Sequence, residues 1–249
     1  MKAIMLAAGL GSRLYGNDDV HPHKALLKFG GKSLIQRHVE TLLALGVEGL
    51  TLVVGYRAEA IIGEIEAIGA GGFVRFIHNP DFRRGSNLSL WCAREVLAGE
   101  SDVLFMDADV LYHPDLIARL IRSPHPTCFL LDRDFEAGDE PVKLCMRDGH
   151  PVEFRKVVGD IRCDFMGEWP GFLKVTPRSG GLVVAALQRM VDEGRLDEPY
   201  EEAVREVLLS APPGTFGVED ITGIPWIEID FRTDVERAER DVLPRIETR

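Results

Sequence analysis

The chain of 249 residues is poor in several things, and each shortage narrows what it can be. Its four cysteines, Cys92, Cys128, Cys145 and Cys163, are widely spaced, with no C-x-x-C pair and no histidine at metal spacing. That argues against a zinc ribbon or a disulfide-stapled secreted scaffold, and for plain structural thiols in a reducing compartment. No apolar run approaches the ~18 residues of a membrane span, and the first residues lack the apolar stretch and cleavage site of a signal peptide. A cytoplasmic location without membrane insertion is therefore expected. Cations are scarce too. With 29 Lys and Arg against 40 Asp and Glu, the formal charge is −11, which disfavours general binding to nucleic acid or an anionic membrane surface. No internal repeat or low-complexity linker divides the chain.

Two familiar nucleotide loops are also missing. The dinucleotide pattern G-x-G-x-x-G fails because Leu14 stands where a third glycine would follow Gly9 and Gly11. The second strand ends Val53-Val54-Gly55-Tyr56, without a carboxylate for a ribose. Gly31-Lys32-Ser33 looks like the end of a Walker loop, but its first glycine is replaced by Leu26. Gly30-Gly31 instead reads as a tight turn before a helix opening near Ser33.

What is present begins at residue 3. Ala3 to Leu6 reads as a short buried strand, and Ala7-Ala8-Gly9-Leu10-Gly11-Ser12-Arg13 follows it directly. Small residues and glycines let the backbone approach an anion and aim its N–H groups at it. Arg13 and, after a polar loop, Lys24 add cations, so the stretch reads as a phosphate site. His21 and His23 flank Pro22 and are expected to be solvent-facing loop residues. Further on, apolar periodicity predicts a helix after Ser33 to Gly46, a strand at 50–54 and a helix at 57–68. A strand at 73–77, a helix at 87–97 and a strand at 103–106 follow. This alternation predicts a parallel sheet with helices on both faces and a ligand at the carboxyl ends of the strands. Tyr56, His78-Asn79 and Asp107-Ala108-Asp109 are expected there beside the glycine loop.

After residue 132 the pattern changes. Segments 141–146 and 152–158 predict a hairpin through Asp148-Gly149. A strand at 171–175, helices at 179–193 and 198–210, and a short strand at 226–229 follow. Thr233-Asp234 is expected to cap a C-terminal helix. Asp107 and Asp109 leave an apolar strand on the same side, and such a pair suits Mg²⁺, which takes one or two carboxylates and keeps phosphate oxygens and water.

The string Leu6-Ala7-Ala8-Gly9-x-Gly11-Ser12-Arg13 with Lys24 resembles the signature of the sugar-nucleotidyltransferase superfamily. Trp226-Ile227-Glu228-Ile229-Asp230 is similar to the short W-x-E-I-D string late in those chains. The resemblance implies an α/β, Rossmann-like fold: a mixed, mainly parallel sheet flanked by helices, with a small hairpin and helical lid over the acceptor. It implies one domain over 1–249, with a nucleotide half (1–132), an acceptor half (133–232) and a C-terminal helix (233–249). Leu6, Ala7, Ala8, Gly9, Gly11, Ser12 and Asp107 would contact nucleotide. Arg13 would face the β- and γ-phosphates, Lys24 the α-phosphate, and Asp109 and Asp230 would hold Mg²⁺.

Within the superfamily, Gly85-Ser86-Asn87-Leu88-Ser89 looks like the cytidylyltransferases acting on phosphocholine, aminoethylphosphonate or inositol phosphate. That implies CTP, its base read from Asn79, Gly85, Ser86 and Asn87; a simple helix cap at Ser86 or Asn87 is compatible with such a role. Lys143 and Lys156 could reach the acceptor's phosphate. Glu168, Trp169, Tyr200, Glu201, Trp226 and Glu228 pair rings with acids, as an ammonium site requires; a sugar stacked on tryptophan would leave the same trace. A sugar-1-phosphate nucleotidyltransferase using UTP, GTP or dTTP and a non-catalytic NTP-sensing module are the alternatives. The acidic run Asn17-Asp18-Asp19 has no place in this scheme. The sequence does not fix the oligomeric state, although free hairpin edges would allow a homodimer.

Overall fold

The computed structural model describes residues 1–16, 21–135, 138 and 140–247, so the run Asn17-Asp18-Asp19 lies outside the described residues. The first strand, Lys2–Ala7, shows why the opening segment is apolar throughout. Successive side chains point to opposite faces of a sheet. Ala3, Met5 and Ala7 enter one core while Ile4 enters a second core on the other side. Helices Leu34–Ala44 and Ala58–Ala67 fill the first core with Ile35, Val39, Leu42, Ile61 and Ile65. Helices Pro177–Asp192 and Glu201–Ser210 fill the second with Val183, Leu187, Met190, Val204 and Val207.

The sheet has seven strands in the order Phe216–Asp220, Thr127–Leu131, Phe172–Val175, Val103–Asp107, Lys2–Ala7, Leu50–Val54, Val74–His78. Phe172–Val175 runs antiparallel to both neighbours, and all other pairs are parallel. The mixed, mainly parallel sheet flanked by helices is thus the one expected. Thr127–Leu131, Phe216–Asp220 and the helix Asp115–Arg122 extend it beyond the expected elements. Thr127–Leu131 is five buried residues bounded by Pro126 and Asp132, the same signal that predicts Leu50–Val54.

Other departures are local. The helix expected over 87–97 is two, Ser86–Cys92 and Arg94–Leu97, because the Ala93 N–H turns to the Leu90 carbonyl three residues back. The expected hairpin, Lys143–Arg147 with His150–Arg155, gains a third strand, Phe165–Glu168, on its other edge. The C-terminal helix begins at Arg232, not at a cap on Thr233. Asp234 sits inside its first turn and accepts the amides of Asp230 and Phe231 at 2.9 and 2.7 Å. Among the described residues, no helix is long and apolar enough to cross a membrane.

One short pairing outside the main sheet matters most. Trp226–Glu228 lies antiparallel to Val110–Tyr112, with Glu228 opposite Val110, and the Ile229 N–H donates to the Asp109 carbonyl at 2.9 Å. This brings the chain's last strand alongside the turn that ends Val103–Asp107.

Candidate active site

At the carboxyl ends of the central strands lies a cavity of about 300 Å³. The loop residues Leu6, Ala7, Ala8, Gly9, Gly11, Ser12 and Arg13 line one side, with His23 and Lys24. Asp107, Ala108 and Asp109 form the floor, and Lys156, Trp169, Tyr200, Glu201 and Glu228 the far wall. Gly11 explains the loop's sequence. It has φ +69°, and a Cβ there would lie 3.2 Å from Cγ of Lys24, so the loop closes directly over the lysine stem.

The charges are arranged around Asp230. Lys24 Nζ donates to Asp230 Oδ1 at 2.7 Å and lies 3.4 Å from Asp109 Oδ2. Arg13 Nη1 reaches the other oxygen, Asp230 Oδ2, also at 2.7 Å. Alternation along Glu228-Ile229-Asp230 sends Ile229 into a small core with Leu14, Phe29 and Leu111, and leaves both acids on the opposite side. Ligand oxygens of Asp109, Glu228 and Asp230 lie within 4.8 Å of one another. Glu228, expected with the acceptor, therefore belongs with the two carboxylates expected to hold metal. Three crowded carboxylates at a phosphate loop are the oxygen donors a hard divalent cation takes, so the residues present fit Mg²⁺.

Ionisation follows from the crowding. Burial, then Asp109 and Asp230, push the Glu228 carboxyl well above its ordinary range. Burial, Asp109 and Glu201 raise Asp107 in the same direction. For Lys24 burial alone would lower the pKa, but Asp109 and Asp230 outweigh it and the net shift is upward. A carboxyl raised in the fold favours the native state at pH below its unfolded value, and that advantage is lost as pH rises through the folded value. Ionised Glu228 thus costs stability near neutrality when no cation sits among the acids. Glu228→Gln is expected to raise Tm in EDTA by roughly 2–4 °C, the shift that about 1 kcal/mol gives in a chain of this size. It should also shrink the Tm gain on adding Mg²⁺. A lower Tm in EDTA would refute the repulsion.

Three buried histidines lie beside or behind the site. His38, fully buried, lies 3.0 Å from the Tyr112 hydroxyl and 3.2 Å from the Ala108 carbonyl, so it pins the turn between Asp107 and Asp109. Burial lowers its pKa to about 4 and keeps it neutral. His21 and His23 are buried, contrary to the solvent-facing expectation. His21 stacks on Tyr15, with centroids 4.0 Å apart, and His23 Nδ1 accepts the Ala25 amide at 3.1 Å. Burial, then Lys24 and His21, hold the His23 pKa down at about 4.

The residues expected to read a base are placed differently. Asn79 Nδ2 donates to Ser89 Oγ at 3.0 Å and its Oδ1 accepts from the Asp81 amide. Asn87 Nδ2 donates to the Arg195 carbonyl at 2.6 Å and its Oδ1 accepts from the Leu88 amide. Both are 1 % exposed, and Asn79, Gly85 and Asn87 are not among the described residues lining the cavity, nor are Tyr56 and His78. Ser86 and Ser89 of the same string do line it, as do Phe82 and Arg84, which were not singled out from the sequence. A Phe and an Arg in a loop carry no period or motif that would single them out.

The acceptor candidates divide. Tyr200 is buried, and its hydroxyl donates to Asp107 Oδ2 at 2.6 Å. Glu201 lines the cavity with a buried Oε2 that has no hydrogen-bond partner among the described residues. The Trp169 ring packs edge-on against Phe154 and Tyr200, with its indole N–H on the Phe172 carbonyl. Lys156 Nζ reaches Glu140 Oε2 at 3.3 Å, the same oxygen that Arg13 meets at 2.5 Å. Lys143 is not in the cavity; its ammonium is spent on the carbonyls of Gly138, Pro141 and Lys156. Glu168 and Trp226 lie in a neighbouring groove, where Trp226 Nε1 donates to Asp132 Oδ2.

A glycine loop after the first strand, two cations and three carboxylates thus meet at the carboxyl end of a sheet covered on both faces, a setting able to hold an anion together with a divalent cation. The chain belongs to the MobA-like NTP transferase domain family, whose model matches residues 3–160. It is 28 % identical to a CMP-5'-(3-aminopropyl)phosphonate synthase of Streptomyces rubellomurinus, over 96 % of this chain and 38 % of that protein. It is 29 % identical to a bifunctional IPC transferase and DIPP synthase of Rubrobacter xylanophilus, over 97 % and 52 % respectively. The chain thus spans about half or less of these two relatives. A solved CTP:phosphocholine cytidylyltransferase from Streptococcus pneumoniae superposes with a TM-score of 0.73 at 22 % identity, covering 96 % of this chain and 97 % of that one, and so shares the fold.

Proposed function

We propose that this chain transfers a cytidylyl group from CTP to a small phosphate or phosphonate acceptor, such as phosphocholine, 2-aminoethylphosphonate or a polyol phosphate, and releases pyrophosphate. The observation that carries this reading is the triad Asp109, Glu228, Asp230, tied through Asp230 to Lys24 and Arg13 beside a loop of backbone donors; Asp109, Glu228 and both cations line the cavity, and Asp230 faces the adjoining groove. The acceptor's phosphoryl or phosphonyl oxygen, already ionised at neutral pH, forms a bond to the α-phosphorus as the bond to the β-phosphate oxygen breaks. No general base is required, so catalysis is positioning and neutralisation of charge.

Asp109, Asp230 and Glu228 would hold Mg²⁺, which when bound would draw charge from the phosphate oxygens and orient them. The loop N–H groups and Ser12 bind the triphosphate. Lys24 and Arg13, which now neutralise Asp230, turn their donors to the α-phosphate and to the leaving pyrophosphate. Tyr200, Trp169 and Glu201 form a wall suited to an acceptor's ammonium, since the buried Glu201 oxygen gains a positive charge there, and a donor where that ammonium carries N–H. In this reading 1–132 serves the nucleotide, 133–232 the acceptor, and the two halves act as one domain.

The choice of CTP is supported by the relative named for a CMP-linked product rather than by Asn79 and Asn87, whose amides are occupied. The test is pyrophosphate release with Mg²⁺ across four NTPs against phosphocholine, aminoethylphosphonate, inositol-1-phosphate and glucose-1-phosphate. Turnover is expected with CTP and an amine-bearing acceptor. Turnover only with a sugar phosphate and another NTP would replace this reading, and NTP binding without turnover would leave a sensing module.

A further inference from the structure

Residues 84–88, which begin the helix Ser86–Cys92, are laced to residues 195–200, which lead into the helix Glu201–Ser210. The Gly85 amide donates to the Leu196 carbonyl at 2.9 Å and the Asn87 amide to the Glu198 carbonyl at 3.3 Å. In return the Tyr200 amide donates to Ser86 Oγ at 3.1 Å. Arg84 grips Asp197 through two bonds of 2.9 and 2.7 Å. The two segments touch so closely at Gly85 that a Cβ would fall 2.2 Å from the Glu198 carbonyl oxygen.

Asn87 sits at the centre of this seam. Its Nδ2 holds the Arg195 carbonyl at 2.6 Å, at the start of the second segment. An Asn near a helix start ordinarily turns its side chain back to cap the helix. Here the donor end is spent across the seam, on a residue remote in sequence, and Oδ1 on Leu88 N completes the side chain. The segment it holds delivers Tyr200, hydrogen-bonded to Asp107, and Glu201 to the cavity wall.

We infer that Asn87 is a positioning residue for the acceptor: it fixes segment 195–200 and so sets where Tyr200 and Glu201 stand, without reading the nucleobase. The inference rests on the proposed assignment of Tyr200 and Glu201 to the acceptor. Truncating Asn87 leaves the Arg195 carbonyl without its donor and loosens the segment, while the phosphate loop, Lys24 and the carboxylate triad lie outside the seam.

The test is steady-state kinetics of Asn87→Ala with the NTP and acceptor that the wild type turns over, together with amide hydrogen exchange at Gly85 and Tyr200. The acceptor KM should rise about tenfold, in line with losing one buried hydrogen bond, while the NTP KM stays within about twofold. Exchange at both amides should accelerate. Asn87→Asp keeps the shape and the bond from Leu88 but removes the donor to Arg195, and it serves if the alanine variant does not fold. An unchanged acceptor KM beside faster exchange overturns the inference and leaves the proposed reaction intact. So does a change in CTP-over-UTP preference with a constant acceptor KM, which would make Asn87 a base reader. If the wild type turns over no pair, the proposed function falls, and the inference with it.

Discussion

Asp230→Asn is expected to lower kcat by about 10³-fold or more, the equivalent of roughly 4 kcal/mol at the transition state. The substitution keeps the shape and removes one charge, and that charge is the centre of the site. Each Asp230 oxygen holds a different cation, Lys24 on Oδ1 and Arg13 on Oδ2, both at 2.7 Å. The same carboxylate completes the triad with Asp109 and Glu228. An amide there weakens the cation site and leaves Lys24 to Asp109 alone at 3.4 Å. Pyrophosphate release measured over a wide range of Mg²⁺ separates the two consequences. Recovery at high Mg²⁺ would restrict Asp230 to metal affinity, and turnover within tenfold of wild type throughout would remove it from the site.

Lys24→Ala should cost about 10²-fold in kcat, as removal of a donor aimed at developing charge does. Its signature is a split result. Lys24 shields Asp109 and Asp230 from each other, so its loss should tighten Mg²⁺ even as turnover falls. Near-normal turnover would exclude Lys24 from catalysis, and an unchanged requirement for Mg²⁺ would show that the ammonium does not compete for the carboxylates. Because the folded-state pKa is raised above the ordinary 10.5, the lysine's contribution to stability is complete at neutral pH. It is lost only as pH rises through the folded value.

The parts of the site legible in the sequence are those whose chemistry is written locally. Gly9-x-Gly11-Ser12-Arg13 after an apolar strand and Asp107-Ala108-Asp109 at the end of another announce a phosphate and a cation without reference to anything distant. Glu228 and Asp230 were visible as a string, but which of them turns to Asp109 depends on the burial of Ile229 between them, and both do. Short amides are ambiguous in principle: Asn79 and Asn87 can cap, brace or read a base, and their partners Ser89 and Arg195 are chosen by the fold. Lys143 fails for the related reason that a long cation reports its length and not its acceptor. The parallel strands Lys2–Ala7, Leu50–Val54 and Val103–Asp107 are continuous apolar runs bounded by turn residues; Thr127–Leu131 has the same length and burial as Leu50–Val54 and is bounded by Pro126 and Asp132, so it was legible on the same signal.

The pairing of Trp226–Glu228 with Val110–Tyr112 has a consequence for the order of folding. Lys24 and Asp230 meet across 206 residues of sequence. Closing so long a loop is entropically costly until the strands between them have ordered. The acidic cluster is therefore a late contact in folding, formed after the sheet that carries Asp109.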